Sequence, residues 1–559
     1  MASRAAVLTS NASCAALFQS VGALPDVACK RVAQAVPARS SSQSRFEVQT
    51  ALERSGWKVA PVDQSRISRM SEPVQNRGQQ AHVGIAPETL QAVEAVTASK
   101  DQNGKAEGEQ IEERCFAGSE YVPIYVMLPL NTVDESNQLH NPEQLEKDFA
   151  ALKSVGVDGV MCDVWWGLVE REGPGQYDWR GYQELFKRVS GAGLKLQVVM
   201  SFHQCGGNVG DDTDIPIPPW VHEIAKQNPD IFFTNRKGER NPECLSWGVD
   251  KERVLKGRTG LEVYYDFMRS FRSAMDEYFS KGVITEVEVG LGACGELRYP
   301  SYPERHGWKY PGIGEFQCYD KYMMAKLTKA AEARNHADWA HGPEDAGEYN
   351  SQPQDTGFFR DGGNFDSYYG RWFLKWYSQQ LIEHGDRVLH LADMVFEGTK
   401  IAAKVSGIHW WYKTASHAAE LCAGFYNPHN RDGYAPIADM LARHNAAFNF
   451  TCVELITTAQ EDSFPEAMAD PEGLVWQVLN SAWDAGIPVA SENALPCYDR
   501  QGYNKILENA KPRKDPDGRC LAAFTYLRLN PTLMEEQNFK EFARFVKRLH
   551  GEAVDDLNT

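Results

Sequence analysis

Carboxylates, indoles, amides and a few cations stand in this 559-residue chain directly behind short apolar runs. Asp163-Val-Trp165-Trp166 closes one run, and His203-Gln-Cys205-Gly-Gly-Asn-Val-Gly-Asp211-Asp212 follows the next. Gly295-Glu296-Leu-Arg298-Tyr299-Pro-Ser-Tyr302, His409-Trp410-Trp411, Thr451 with Glu454, Glu492-Asn493-Ala494 and Arg528 complete the series. That mixture suits a carbohydrate. Sugar C–H faces stack on aromatic planes, and hydroxyls need carboxylate, amide and guanidinium partners. Glycoside hydrolysis also needs two carboxyl groups across the scissile bond, and Glu296 and Glu492 are the candidates. The ordinary reading of any Glu is a surface or salt-bridged carboxylate. Glu492 departs from it because the acid directly follows a buried apolar run, where burial without function is costly. Glu296 is flanked by Gly295 and Pro300, which shape a loop rather than a helix.

Several motifs point elsewhere and fail on context. Gly290-Leu-Gly292-Ala-Cys-Gly295 spells a dinucleotide fingerprint, but the two prolines that follow do not open the helix it requires. His203-Gln-Cys205 has no second ligand pair at metal-binding spacing. Asn449-Phe-Thr451 is a glycosylation sequon inside a buried run, hence accidental. Trp410-Trp411 reads as one core residue and one sugar platform, since neighbours on a strand point opposite ways. His409 taken alone reads as a satisfied core histidine.

The elements that must position these residues begin after about residue 116. Eight β-rich runs occur: Val122–Leu130, Val157–Trp165, Lys195–Phe202, Glu286–Gly292, Ile401–Ile408, Ala447–Glu454, Pro488–Glu492 and Leu521–Arg528. Near-continuous apolar runs suit strands buried on both faces of a parallel sheet. Helical patterns separate them at Pro142–Gly156, Gly181–Gly193, Leu261–Gly282, Asp366–Val395, Arg431–Asn445, Glu472–Gly486 and Gln537–Gly551. In the first, Pro142 fits the N1 position and Leu145, Phe149 and Leu152 share one stripe. Eight such units predict an α/β protein of the (β/α)8 TIM-barrel class, with an open doubly wound sheet as the alternative. Two long connections, 204–285 and 293–400, would form a lobe at the C-terminal face, where barrel enzymes carry their chemistry. Glu296 and Glu492 come from the fourth and seventh runs, nearly opposite in a ring of eight. Carboxyls ~6.5–9.5 Å apart admit a water and imply inversion, and ~5–5.5 Å implies retention. Spacing in sequence leaves those two outcomes open.

Composition narrows the partners. Acidic residues outnumber basic ones 76 to 58, a net charge of −18, which argues against broad nucleic-acid binding. No run approaches the ~18–20 apolar residues of a membrane span. The 12 cysteines are scattered with no C-x-x-C pair, which fits a mostly reducing compartment. Residues 1–45 hold 11 Ala, 8 Ser, five basic residues and a single acid, Asp26, the texture of an organelle transit peptide. Residues 46–115 read as a polar linker with at most one weak helix near Pro87–Val96, residues 116–551 as the catalytic barrel, and 552–559 as a polar tail. A basic DNA-binding arm is excluded, because residues 1–110 carry 12 basic and 10 acidic side chains.

At its rim the sequence resembles a known family. His203-Gln-Cys-Gly-Gly-Asn-Val-Gly-Asp211 and Gly292-Ala-Cys-Gly-Glu296-Leu-Arg-Tyr-Pro-Ser-Tyr302 are similar to the two signatures of plant β-amylases, glycoside hydrolase family 14, and Ser406–Lys413 adds a third match. The resemblance runs from about Tyr121 to Gly551. It implies a cofactor-free and metal-free exo-hydrolase that cuts α-1,4-glucans from the non-reducing end and releases β-maltose by inversion. By the same resemblance Glu296 would be the general acid and Glu492 the general base. Asp163, His203 and Asp211 would hold the terminal glucose, and Lys404, His409, Asn493, Ala494 and Arg528 would line neighbouring subsites. Gly206–Pro218 would be a mobile lid, and Thr451 would sit on a small inner loop that shifts during turnover. The N-terminus resembles that of plastid members, so the chloroplast stroma is the expected address. Cys294 departs from the Ser or Ala usual in the family. A redox-switched disulfide among Cys115, Cys497 and Cys520 is a weaker expectation beside inert thiols. A glucan-binding regulator that has lost catalysis on the same fold is the competing function. The presence of both glutamates, Asp211, Thr451 and Arg528 favours the enzyme.

Overall fold

The computed structural model describes residues 116–554, apart from Val209, Gly210 and Lys514. The expected transit peptide, the linker, Cys115 and the last five residues of the polar tail lie outside the described residues. Eight parallel strands close into a barrel: β1 (Ile124–Met127), β2 (Gly159–Trp165), β3 (Lys195–Ser201), β6 (Ile284–Val289), β7 (Lys400–Val405), β8 (Ala447–Phe450), β9 (Val489–Glu492) and β10 (Ala523–Tyr526). Each coincides with one of the eight predicted runs to within a few residues, so the barrel and not the open sheet is the fold. Neighbours pair in chain order, and β1 closes on β10 through Ile124–Phe524, Tyr125–Thr525 and Val126–Tyr526.

The seven predicted helical segments form within a few residues of their expected bounds, the third broken at Met275 into Gly260–Ala274 and Asp276–Ser280. Pro142–Ser154 begins with Pro at its first turn and buries Leu145, Phe149 and Leu152. It stops where Gly156 takes φ +94°, a left-handed value that glycine reaches without a Cβ clash. Helix Gly260–Ala274 starts on a capping box: Thr259 accepts from the Glu262 amide, and the Glu262 carboxylate accepts from the Thr259 amide. Arg500–Ala510, between β9 and β10, is a helix that hydrophobic periodicity did not single out. The long connection after β3 also contains an antiparallel hairpin, β4 (Phe232–Thr234) and β5 (Arg240–Leu245).

Strand alternation divides the core in two. Val287 and Val289 on β6 face the helices and join the large apolar cluster, while Glu286 and Glu288 alternate with them and face the lumen. Tyr125, Ala490 and Ala523 form a small apolar cluster of their own, as do Met127, Met161 and Val199. Among these stand Gln197, Glu286, Glu288, Lys404, Asn449, Glu492 and Thr525, all buried. A lumen that carries this many polar groups must satisfy them with one another, because an unpaired buried polar atom is costly. Of these, Lys404 and Glu492 stand at or next to the C-terminal ends of β7 and β9.

Candidate active site

Lys404 on β7 is the hub. Its Nζ lies 3.1 Å from Glu492 Oε1 and 3.4 Å from Glu288 Oε1. Burial disfavours its charge, but the carboxylates of Glu288, Glu492, Asp163 and Glu296 outweigh burial and hold the ammonium protonated. Glu296 reaches the same place from the loop after β6, where its backbone bridges to Lys404. Its Oε2 accepts from Arg298 Nε at 2.6 Å and Ser406 Oγ at 2.7 Å. The two candidate carboxylates therefore share one end of one barrel. Burial pushes the Glu492 carboxyl up to about 7; Lys404 opposes the shift, and the charges of Glu288 and Glu296 add to it.

Other predicted residues gather around this centre. Asp163 lies two residues before the end of β2, accepts from Ser201 Oγ at 2.7 Å, and is raised by burial against the charges of Arg528 and Lys404. Arg528 follows β10 and donates from Nη1 to the Leu128 carbonyl at 2.9 Å. His203 is buried edge-on to Trp165, and its Nδ1 has no hydrogen-bond partner. Burial, with the cations of Lys404 and Arg298, lowers the imidazole to about 3, so it is neutral at physiological pH. His409 donates from Nδ1 to the Gly407 carbonyl at 3.0 Å, and burial lowers it as well.

Three residues have their polar atoms engaged within the protein. Asp211 Oδ2 accepts from the amides of Gly206 and Asn208, closing the turn it belongs to. Thr451 Oγ1 accepts from the Gly407 amide at 2.8 Å. Asn493 donates to the carbonyls of Leu495 and Leu527 and accepts from the Leu527 amide, so its side chain braces the end of β9 against that of β10. Ala494 is exposed beside Glu492 and donates its amide to Glu454 Oε1 at 2.9 Å. The base of the 206–218 segment is closed by paired backbone bonds between Cys205 and Ile215, and Arg305 is bonded to the Gly206 carbonyl.

Against this geometry, comparison with known proteins is specific. The sequence model of glycosyl hydrolase family 14 matches residues 125–554. The chain is 67% identical over 459 residues to Beta-amylase 2, chloroplastic, of Arabidopsis thaliana, covering 82% of this chain and 85% of that protein. It is 51% identical over 438 residues to Beta-amylase of Glycine max, covering 77% and 88%. The chain belongs to glycosyl hydrolase family 14. It is a glycoside hydrolase of the β-amylase kind. The catalytic domain of a β-amylase from Paenibacillus polymyxa superposes with a TM-score of 0.60 at 29% identity, over 78% of this chain and 96% of that one.

The enzyme's site also contains Glu288, which the sequence reading passed over, and Glu454, which it named beside Thr451 without a role. Glu288 accepts from Asn449 Nδ2, and its Oε1, which pairs with the Lys404 ammonium, has no further hydrogen-bond partner. A signal for it existed: Glu-Val-Glu-Val over 286–289 puts two acids on one face of a buried strand. Glu454 Oε1 accepts from the amides of Ala494 and Leu495, and burial pushes that carboxyl up to about 7. Trp410 and Trp411 are both buried. They lie beyond β7 on a turn, so strand alternation does not apply, and each indole N–H donates to a carbonyl of Pro311 or Gly312. Residues 293–295 form a single 3-10 turn and Glu296 is extended, so no helix opens after the Gly290–Gly295 pattern. Cys497 and Cys520 are free thiols, and burial raises both, Cys497 to about 12.

Proposed function

We propose that the enzyme hydrolyses α-1,4-glucosidic bonds of starch and maltodextrin from the non-reducing end, releasing β-maltose by a single inverting displacement. The observation that carries this reading is the meeting of Glu296 and Glu492 around Lys404 at the C-terminal end of the barrel. Glu296 gives its proton to the glycosidic oxygen as the C1–O bond breaks. A water on the opposite face of the ring attacks C1, and Glu492 takes the proton it releases. A base poised near 7 combines a useful ionised fraction with enough proton affinity to activate water.

Asp163, His203 and Asp211 hold the terminal glucose. Neutral His203, with Nδ1 unpartnered, offers a hydrogen bond to a hydroxyl without adding charge. Lys404, His409, Ala494 and Arg528 line the neighbouring subsites, together with the Asn493 backbone, since its side chain is engaged elsewhere. Closure of the 206–218 segment brings Asp211 in and excludes water, as lids do. Thr451 releases Gly407 when the inner loop shifts. Residues 116–551 form the catalytic domain, preceded by a transit peptide over 1–45 and a linker over 46–115, and the protein resides in the plastid stroma. The relative named chloroplastic supports that address.

Exo action is tested with two maltodextrins, one with free and one with chemically blocked non-reducing ends. Maltose is expected from the first and none from the second. Equal release from both would make the enzyme an endo-hydrolase. Binding without any release would mark a glucan-binding regulator.

A further inference from the structure

Glu243 lies on β5, in the insertion between β3 and β6, and takes no part in the chemistry above. Its side chain is buried, and its Oε1 accepts two hydrogen bonds, from the Cys294 amide at 2.8 Å and from Asn208 Nδ2 at 2.9 Å. Cys294 precedes Glu296 by two residues and sits at φ +54°, ψ +23°. That is left-handed backbone, disfavoured for a residue with a Cβ, and such a conformation persists only where its surroundings over-determine it. Arg298 adds a second restraint, donating from Nη2 to Cys294 Sγ at 3.0 Å and from Nε to Glu296 Oε2 at 2.6 Å. Glu243 is itself rigidly held. Its amide donates to Asn241 Oδ1 at 3.0 Å, and its carbonyl accepts from the Gln204 amide at 2.6 Å.

We propose that Glu243 is a positioning residue for the catalytic acid: its bond to the Cys294 amide holds the strained turn that aims Glu296, and its bond to Asn208 ties that turn to the segment carrying Asp211. The proposal rests on the reading of Glu296 as the acid. It agrees with the electrostatics, since burial raises the Glu243 carboxyl while Arg298 and the two hydrogen bonds restrain the rise. A general acid works only within hydrogen-bond reach of the leaving oxygen, so loosening this turn should be felt in turnover before it is felt in binding.

The test is Glu243→Met, close in length but with no atom that can accept either bond, since both go to Oε1 and a Gln oxygen could keep them. With a short maltodextrin, kcat is expected to fall by ~10–100-fold, as a displacement of order 1 Å would cause, while KM stays within about threefold. Adding Cys294→Gly to that variant should restore at least about threefold in kcat, because glycine adopts φ +54° without the Glu243 bond. Retention of kcat within about twofold in Glu243→Met would overturn the proposal. So would a loss in kcat that comes with a lowered melting temperature and no recovery on adding Cys294→Gly, the pattern of a purely structural residue. Glu243→Asp, which keeps the charge but withdraws the oxygen, is judged by the same criteria if the Met variant does not fold. Glu296→Gln is measured alongside. If that variant keeps its turnover, it is the assignment of the acid that has failed.

Discussion

Glu296→Gln and Glu492→Gln are each expected to lower kcat for maltose release by ~10²–10⁴-fold, the usual contribution of a positioned acid or base. Each substitution is close to isosteric. An amide cannot give a proton to the glycosidic oxygen, and it cannot take one from water. Both variants should still bind maltodextrin, with Kd within about threefold of the parent, because the proposed glucose-binding residues remain. Arg298 and Ser406 both donate to Glu296 Oε2, and the Gln oxygen can replace that acceptor. Lys404 keeps Glu288 at 3.4 Å when Glu492 loses its charge. Single-turnover kinetics with calorimetric binding would separate the two effects. Near-parental turnover in either variant would contradict the role of that residue.

Lys404→Met is expected to move the pH profile as well as the rate. The sign follows from charge. A cation 3.1 Å from Glu492 favours its ionised form, so removing the cation raises the carboxyl above its present value of about 7. The base must be ionised to act, so the acidic limb of kcat/KM moves to higher pH by ~1–3 units, the usual reach of one opposite charge. At pH 7 the loss in kcat/KM is then roughly 10²-fold. Part of the loss reflects Glu288 and Glu492 left without their shared counter-ion. Lys404→Arg, which keeps the charge, should leave the limb near its original position. A Lys404→Met profile whose limb does not move would show that Glu492 does not set it.

The barrel strands were legible because a parallel sheet covered by helices leaves a continuous apolar mark on every strand. Val122–Leu130 and Lys195–Phe202 carry that mark as plainly as any. The helix Arg500–Ala510 did not, since Tyr503, Ile506, Leu507 and Ala510 are its buried residues among charged and amide neighbours. The β4–β5 hairpin was hidden inside a connection read as loop. At the site, the rule that strand ends carry chemistry located Asp163, Glu296 and Glu492 around one point, and the family resemblance added Lys404. Neither foresaw what each side chain would touch. Asn493 turns back onto the backbone because two carbonyls and an amide at the ends of β9 and β10 need partners. Glu243 was invisible, because its importance arises only from the backbone conformation of Cys294, fifty-one residues away.

Proton NMR of freshly released disaccharide tests the central claim most directly. With Glu492 activating a water on the face opposite the leaving chain, the first maltose formed must carry the β configuration at its reducing end, and the α signal must grow only by later mutarotation. Initial product in the α form would mean retention, and Glu296 and Glu492 could not then act as the acid and base of an inverting displacement.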